Sequence, residues 1–448
     1  MGMSVNGHAA RGSRVTQPHN ARSMRSLKFT FEVLTLTGMW LPSHWQSERL
    51  KRICYHVYTS VAVFGTYTLV ALQVLLLVSS EFNVNMFVDI MFTLLTAISI
   101  CFKVVHFIVR KSKVTQLDEM LFESFCLPRN QVEMEIQRRT DLFIKNFTII
   151  FNALGQATLF CFMITPLLQD KSTRNLPFRM WLPYDLRDDW SYWITYVFEV
   201  VPLVVGVLLN VTTDVIVSGF VLQACTQLDL LRCRLDEFPD LVERAILSGQ
   251  TTQYIERKLL QQAVIHHDFI IRFSKKVTNT FDVIIVEQYL ASVLLFSVIV
   301  YQFTLRDISV IQRIMAVGYI ICMTGEMFAY CWFGNEITLK VRAASARFFL
   351  LFSKKKYFRV TFARKELFLK KIHLLGFQSM DLGEYVYLIN WMTLSKKANK
   401  ALMFIMMRAS RPIIMSYGDL VVLNIDSFKS IMKITYSAFN VLKESGGK

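Results

Sequence analysis

The chain has 448 residues, of which 53% are apolar and only 19% are charged, and its net charge is +16. Its mean hydropathy is +0.37. A soluble protein of this length would carry charges at roughly one residue in four, and a disordered or disulfide-stapled secreted chain would be less apolar or richer in cysteine. These numbers exclude all three classes and make a lipid bilayer the expected solvent.

Apolar segments long enough to cross a hydrocarbon core of about 30 Å, which takes about 20 helical residues, recur along the chain. The predicted spans are 54–80, 84–109, 147–168, 193–222, 283–304, 314–338 and a more polar seventh at 412–442. Each should be an α-helix, because strands cross a membrane only as closed barrels with alternating faces and these runs do not alternate. The expected fold is an all-α integral membrane protein with seven transmembrane helices.

Basic residues predict the orientation of these spans. Residues 1–53 contain eight Lys or Arg against two Glu, and the connections at 110–145 and 232–276 are also basic. Because Lys and Arg accumulate on the cytosolic side, the N-terminus should be cytosolic; an Arg-rich start also occurs in mitochondrial transit peptides, but that reading is not favoured. No apolar run precedes residue 54, so no cleaved signal peptide is expected. Seven crossings then leave the C-terminus extracellular, opposite to a G-protein-coupled receptor.

Motifs that announce an enzyme, a nucleotide or a metal site do not occur in the sequence. There is no G-x-G-x-x-G, Walker lysine loop, C-x-x-C or H-E-x-x-H. His266 and His267 are adjacent, so on a helix they point about 100° apart and no third ligand accompanies them. They are interpreted as ordinary helix surface. The sequence therefore predicts neither catalysis nor a cofactor or metal.

Ionisable residues inside predicted spans are costly in lipid, so each is a candidate for a functional site. Four acidic residues qualify: Glu199, Asp214, Glu287 and Glu326. The alternative is that they lie near span ends or face neighbouring helices with satisfied hydrogen bonds. That alternative is favoured for Asp214 and Glu287.

The seventh segment carries a polar stripe. At about 100° per residue, six polar side chains fall within about 60° of one direction: Asp426, Lys429, Ser430, Lys433, Ser437 and Asn440. Such a helix can show water one face and apolar neighbours the other, which a pore-lining helix requires. A helix buried in a bundle with internally paired charges fits equally well, so both readings stay open.

Several short segments, in this order and spacing, resemble insect odorant receptors. The run from Tyr330 to Glu336 resembles their Tyr-Cys followed by Gly-Asn-Glu, with Tyr330, Cys331, Gly334, Asn335 and Glu336 as the matching residues. The segments 37–42, 182–185 and 267–270 resemble other family motifs. At the end of the chain, Tyr436 and Ser437 resemble the family's closing Tyr-Ser. The match extends over nearly the whole chain.

The resemblance implies a tetrameric, ligand-gated, non-selective cation channel in the plasma membrane of olfactory sensory neurons. This chain would be the odorant-binding subunit beside the family's co-receptor, its ligands small volatile organic molecules, its surroundings membrane lipid, and no nucleic acid would be involved. The last helix of each subunit would line one pore. Apolar side chains near its extracellular end would form the gate: Phe439, Val441 and Leu442.

Odorants in the family bind an apolar pocket in the outer half of the bundle. Depth alone, and no motif, selects the candidates: Met91, Phe92, Phe162, Met163, Trp193, Tyr196, Phe198 and Tyr319. Trp193 and Tyr196 are the leading pair, yet they lie where an interfacial aromatic belt is also expected. Each candidate has the alternative of facing lipid or packing in the core.

Other functions remain as alternatives. A gustatory-type receptor channel would close with Thr-Tyr and a Gln about six residues on, which is not found after Thr435 and Tyr436. A secondary transporter would show internal repeats and broken helices, and neither is visible. A non-conducting accessory membrane protein is opposed only by the polar stripe.

The family pattern breaks once, after Lys340. Its continuation resumes only at Ser379, so residues 341–378 are interpreted as an insertion with ten Lys or Arg and one Glu, which supplies most of the chain's net charge. Val341-Arg342 can be encoded by GTA-AGA and Phe377-Gln378 by TTT-CAG, the consensus ends of an intron. The segment is therefore suspected to be a translated retained intron; a lineage-specific cytosolic loop is the alternative.

These predictions divide the chain into four regions. Residues 1–53 form the cytosolic N-terminus and pre-membrane segment, and 54–338 form the first six spans with the odorant pocket. Residues 339–411 form the cytosolic anchor between subunits, with the suspected insertion inside it. Residues 412–448 form the pore-lining helix and a short extracellular tail.

Overall fold

The computed structural model describes residues 27–42, 45–81, 84–168, 176–186, 188–249, 252–305, 310–353, 416–417 and 421–446. Nearly all of the described chain is helical. In chain order the elements are α1 (Lys28–Leu36), α2 (Arg49–Ser79), α3 (Val84–Met120), α4 (Gln131–Leu168), α5 (Asp189–Leu247), α6 (Thr252–Leu305), α7 (Val310–Ser353), β1 (Ser416–Tyr417), β2 (Val421–Val422) and α8 (Ile425–Gly446).

Helices α2 to α7 are each long and apolar enough to cross a membrane, and they are the six that meet this condition among the described residues. Each overlaps one of the first six predicted spans. The prediction of a helical multi-pass membrane protein is confirmed. An apolar segment in lipid has to satisfy its own backbone hydrogen bonds, and a helix does so within the segment.

The seventh segment begins its helix later than the sequence predicts. Before it, β1 and β2 pair antiparallel, with Ser416 opposite Val422. The helix α8 starts at Ile425 because the side chain of Asn424 accepts a hydrogen bond from the backbone N–H of Ser427, at 2.7 Å. This is an N-cap. The expectation of a helix beginning at 412 is therefore wrong for the described part of 412–424.

Helix α5 lies at the centre of the bundle. It packs against α1, α2, α3, α4, α6 and α7, and nearly every side chain between residues 209 and 231 is buried. A helix that is apolar around most of its circumference belongs in such a position. Every other membrane helix up to α7 is therefore positioned against α5.

The segment before the first span folds onto the bundle. Helix α1 buries Phe31 beside Phe220 of α5, with ring centroids 6.5 Å apart. Gly38 then reverses the chain at a φ of +84°, which a side chain would strain. Beyond the turn, the backbone N–H of Trp40 donates to the Tyr55 hydroxyl at 3.1 Å. These contacts explain why the segment 37–42 has a glycine at position 38 and a tryptophan at position 40.

Helices α5 and α6 extend well beyond a bilayer. They have 59 and 54 residues, so each is about 80–90 Å long against a hydrocarbon core of about 30 Å. In the extension, His266 is buried and lies 2.9 Å from Gln227 and 3.2 Å from Arg234. The interpretation of His266 and His267 as helix surface is wrong, because this face of α6 packs on α5. Residues 354–411 of the predicted anchor and insertion lie outside the described residues, as do 1–26.

Candidate functional site

Three predicted pocket residues meet inside the bundle, between α3, α4 and α7. The ring of Phe92 on α3 lies 5.5 Å from that of Phe162 on α4 and 4.7 Å from that of Tyr319 on α7. The Tyr319 hydroxyl is 2.9 Å from the Thr96 hydroxyl. Aromatic rings at these separations attract each other beyond simple burial. We call Phe92, Phe162 and Tyr319 the ring cluster.

The other five predicted pocket residues differ in burial and in their contacts. The Tyr196 hydroxyl donates to the backbone carbonyl of Met163 at 2.8 Å, which joins α5 to α4. Trp193 is 50% exposed and its ring lies 5.6 Å from that of Tyr196. Met91 and Phe198 are half-buried. Depth in the membrane could not tell which face of each helix points inward, and the candidates therefore differ in burial.

A small cavity of about 10 Å³, which has room for about one water molecule, lies beside the ring cluster, between α2, α3, α5 and the segment before α5. Its lining consists of Leu69, Gln73, Thr93, Ala97, Phe178, Met180, Glu199 and Leu203. The ring of Phe178, which lines the cavity, is 5.8 Å from that of Phe162, so the cavity lining contacts the ring cluster. The eight predicted pocket residues do not line this cavity; Glu199, predicted only as an ionisable residue, does.

Two polar side chains of the cavity keep an oxygen without a partner. The Gln73 amide donates to the Thr93 hydroxyl at 2.9 Å, and that hydroxyl donates to the Ile90 carbonyl at 3.1 Å. Gln73 Oε1 and Glu199 Oε2 are buried and have no hydrogen-bond partner in the described part of the chain. Such groups are rare and need an explanation.

A second polar group lies deeper in the bundle and is paired throughout. Lys103 of α3 contacts both carboxylate oxygens of Asp214 at 2.7 Å and donates to Gln288 Oε1 at 2.9 Å. The hydroxyl of Tyr330 donates to Asp214 at 2.7 Å, and the Gln288 amide lies 3.3 Å from Glu326. We call these five residues the buried network. All five side chains are at most 3% exposed.

The structure shows which of the predicted ionisable residues have hydrogen-bond partners. Asp214 is hydrogen-bonded to neighbouring helices, as the favoured alternative predicts. Glu287 is bonded to Ser99 but leaves its Oε2 without a partner among the described residues. Lys103 was missed, although a lysine inside the span 84–109 is itself a signal of a buried partner.

Helix α7 contributes residues to both the ring cluster and the buried network, and it then reaches the segment just before α8. Tyr319, Glu326, Tyr330 and Gly334 are spaced seven, four and four residues apart, so they share one helix face. At Gly334 an added Cβ would lie 2.6 Å from the Leu423 carbonyl oxygen. The motif glycine therefore allows α7 to touch the backbone just before α8. Cys331 is also buried on α7, and farther along this helix Lys340 lies 3.6 Å from Glu336.

Helix α8 has one buried side and one exposed side in the single chain. Ile431 is fully buried and Thr435 is 7% exposed. The predicted stripe residues are all exposed, and Lys429 pairs with Asp426 at 3.2 Å. The exposed face also contains Met432, Ile434 and Tyr436, so it is wider than the predicted polar stripe. The side chains of Phe439, Val441 and Leu442 lie outside the described part.

Comparison with known proteins gives one consistent result. The sequence model of the 7tm Odorant receptor family matches residues 83–347 and 373–436. The chain is 21% identical to Odorant receptor Or1 of Anopheles gambiae, over 92% of this chain and 93% of that protein. It is 22% identical to Odorant receptor 46a, isoform B, of Drosophila melanogaster, over 93% and 97%.

A solved structure agrees in fold. The olfactory receptor OR5 of Machilis hrabei, in complex with eugenol, superposes with a TM-score of 0.72 at 15% identity, over 94% of this chain and 97% of that one. At this identity the likeness concerns the fold alone. The family match covers more than half of the chain and includes the buried network, the Tyr330 to Glu336 run and most of α8. This multi-pass membrane protein belongs to the 7tm Odorant receptor family, a family of receptors and not of enzymes.

Proposed function

We propose that the chain is the odorant-binding subunit of a heteromeric, ligand-gated, non-selective cation channel. Its partner is the odorant co-receptor of the family, with which it forms a heterotetramer. Its place is the plasma membrane of olfactory sensory neurons, with the N-terminus cytosolic and the C-terminus extracellular. Family membership and the distribution of Lys and Arg support this proposal.

The observation that carries the channel part of the proposal is the two-sided character of α8. Ile431 and Thr435 pack on the bundle while Lys433 and Ser437 are exposed. A helix with charges on a free face is costly in lipid, and a water-filled pore between subunits removes that cost. A transporter or a non-conducting accessory protein has no need for such a face.

Ligand binding is proposed for the outer half, at the ring cluster and the adjoining cavity. The ring cluster is mostly apolar, as the lining of small-molecule pockets is, and the adjoining cavity is small in the unliganded chain. A volatile ligand would gain affinity there from desolvation and dispersion. The relative from Machilis hrabei was solved with eugenol, which supports a small organic ligand for this chain.

Currents in whole cells test this function. Cells expressing the chain together with the family's co-receptor should give inward cation current when a broad odorant panel is applied. Cells with the co-receptor alone should not respond to the same odorants. Saturable uptake without channel current would favour a transporter, and surface-expressed complexes that give neither would favour an accessory protein.

We also propose that residues 341–378 are a translated retained intron. The family match stops at 347 and resumes at 373, which supports an insertion within this interval. Amplifying the transcript across codons 330–390 tests the proposal. A spliced product that joins Lys340 to Ser379 is expected in olfactory tissue; its absence from every mature transcript would favour a genuine loop. The shortened chain should assemble and conduct better than the full one.

A further inference from the structure

An arginine on the extension of α5 holds the connection between α3 and α4. Arg234 donates to both carboxylate oxygens of Glu133, the third residue of α4, at 2.9 and 2.8 Å. Its remaining N–H groups reach the backbone carbonyls of Phe125 and Leu127 and the Nδ1 atom of His266. A guanidinium has five N–H groups, and these contacts engage all five. The connection 121–130 is thereby fixed to α5 and α6.

His266 fits this arrangement only with a neutral ring. Its Nδ1 accepts from Arg234 at 3.2 Å, because a guanidinium can only donate. The ring proton is therefore on Nε2, which donates to Gln227 Oε1 at 2.9 Å, and the Gln227 amide donates to the Cys126 carbonyl at 3.3 Å. An imidazolium has no acceptor nitrogen and would face the guanidinium with a second positive charge. We call Arg234, Glu133, His266 and Gln227 the clasp.

The charges around His266 oppose its protonation. The ring is 1% exposed. Arg234 faces it from α5, Arg129 from the connection, and His267 from its own helix. The carboxylate of Glu133 on α4 is already bonded to Arg234 through both oxygens. Burial, and then the charges of Arg234, Arg129 and His267, lower the pKa of His266 from 6.5 to about 3 in the closed clasp.

The clasp lies outside the hydrocarbon core. His266 precedes the predicted span at 283 by 17 residues, and Arg234 follows the end of the predicted span at 222 by 12 residues. At 1.5 Å per residue these separations are about 25 and 18 Å along the helix axes. The orientation proposed above places the clasp in the cytosol, so cytosolic protons reach His266 when the clasp opens.

We propose that the clasp is a proton-sensitive latch: acid opens it by protonating His266, which releases the connection 121–130 and the start of α4 from α5 and α6. The open form binds the proton with the ordinary pKa of histidine, 6.5, and the closed form does not, so falling pH favours the open form. Relative to pH 7.5, the ratio of open to closed clasp rises about fourfold at pH 6.0 and about tenfold at pH 5.5.

Opening the latch also affects the membrane part of the bundle. Helix α3 carries Phe92 and Lys103, and α4 carries Phe162, so each helix contributes to the ring cluster or the buried network. The connection 121–130 fixes the cytosolic ends of both helices. We therefore expect acid on the cytosolic side to lower the odorant-evoked current.

The thiol of Cys126 reports opening directly, because this residue is 2% exposed in the closed clasp. Complexes of the chain with the co-receptor are treated with N-ethylmaleimide at pH 7.5, 6.0 and 5.5, and modification of Cys126 is followed by mass spectrometry. Each rate is divided by that of a free peptide with the sequence 121–130, which removes the pH dependence of the thiol itself. The relative rate should rise about fourfold and about tenfold at the two lower pH values. A constant relative rate overturns the latch.

Histidine variants identify the group that takes up the proton. His266→Gln keeps a side-chain donor and acceptor but does not titrate in this range, so its relative rate should be independent of pH. His56→Gln replaces an exposed histidine of α2 and should keep the native pH response. Equal pH dependence in His266→Gln and the native chain would contradict the role of His266.

Arginine variants test the clasp without a change of pH. Arg234→Lys keeps the charge but loses the fork of five donors, so Cys126 should react faster than in the native chain at every pH. Arg244→Lys, at an exposed position farther along α5, should react like the native chain. Equal rates in the two variants would show that Arg234 does not close the clasp.

Recordings from inside-out patches test the consequence for function. Lowering the cytosolic pH from 7.5 to 6.0 should reduce the odorant-evoked current of the native chain more than that of His266→Gln. An equal reduction in both would contradict the effect of the latch on current. Should no odorant evoke current at all, the proposed odorant-gated function is wrong, and the Cys126 rates still decide whether the latch exists.

Discussion

Two buried polar regions of this bundle contrast sharply. In the buried network, Lys103, Asp214 and Tyr330 satisfy one another across three helices. In the cavity beside the ring cluster, Gln73 and Glu199 are also buried but each keeps an oxygen without a partner among the described residues. Burial alone therefore does not distinguish a structural group from a binding group. The two regions differ in the completeness of their hydrogen bonding: the satisfied network fixes helix positions, whereas the open oxygens of the cavity leave a place for a hydrogen-bonded water.

Breaking the buried ion pair should have the largest effect. Lys103→Met leaves Asp214 as an uncompensated buried charge, and loss of one partner of such a pair costs about 3–5 kcal/mol. Thermal unfolding of detergent-solubilised protein measures this loss. The double variant Lys103→Met with Asp214→Asn should recover much of it. Lys113→Met on the exposed side of α3 is the control; equal stability of Lys103→Met and Lys113→Met would contradict the role of the pair.

Removing a ring from the ring cluster should affect the ligand more than the fold. Phe92→Ala loses contacts with Phe162 and Tyr319 and should weaken the odorant response by about 1–3 kcal/mol, or about five- to 150-fold in concentration. Phe64 is 71% exposed on α2, so Phe64→Ala is the matched control. Dose–response curves that shift equally for both variants would remove the ring cluster from the pocket.

The leading aromatic pair allows a finer comparison at the same depth. Tyr196 is buried and bonded to Met163, whereas Trp193 is half exposed. Tyr196→Ala should shift the dose–response curve further than Trp193→Ala, which should act mainly on membrane insertion. Unchanged curves for both variants would instead make the pair an interfacial belt.

A glycine substitution tests whether α7 connects these regions to α8. Gly334→Ala places a methyl group 2.6 Å from the Leu423 carbonyl oxygen, so the start of α8 has to shift at a cost of about 1–3 kcal/mol. Current should fall while odorant binding persists. Gly318→Ala on the same helix meets its nearest neighbour only at 3.4 Å and should behave like the native chain. Equal currents in the two variants would separate α7 from gating.

The smallest expected effect is at the hydrogen bond between Tyr319 and Thr96. Tyr319→Phe keeps the ring and loses one hydroxyl, so we expect a change of about 0.5–1.5 kcal/mol in the odorant response. Dose–response curves for Tyr319→Phe and Thr96→Val should shift by similar amounts, and the double variant should add little. Full additivity would mean that the two hydroxyls act separately.

The sequence predicted the membrane helices well because their signal is local. Length and hydropathy suffice for α2 to α7, since a bilayer admits few other structures. The start of α8 was misplaced by 13 residues because the cap at Asn424 and the pairing of β1 with β2 override the apolar run that precedes them.

The site was predicted less well because its contacts are distant in sequence. Lys103 and Asp214 are 111 residues apart, and hydropathy says nothing of which helices are neighbours. Depth in the membrane selected Phe92, Phe162 and Tyr319 as candidates, but nothing in the sequence indicated that Gln73 and Thr93 share a cavity. Glu199 was recognisable in advance because a carboxylate in lipid always needs a reason.

Thiol modification tests most directly whether α8 lines an ion pathway. In complexes with the co-receptor that respond to odorant, Lys433→Cys and Ser437→Cys should react with a water-soluble thiol reagent and change the current. Ile431→Cys, fully buried against the bundle in this structure, should stay protected. If the two stripe positions are modified no faster than Ile431→Cys, the polar face of α8 is not wetted and the account of this chain as a pore-lining subunit is wrong.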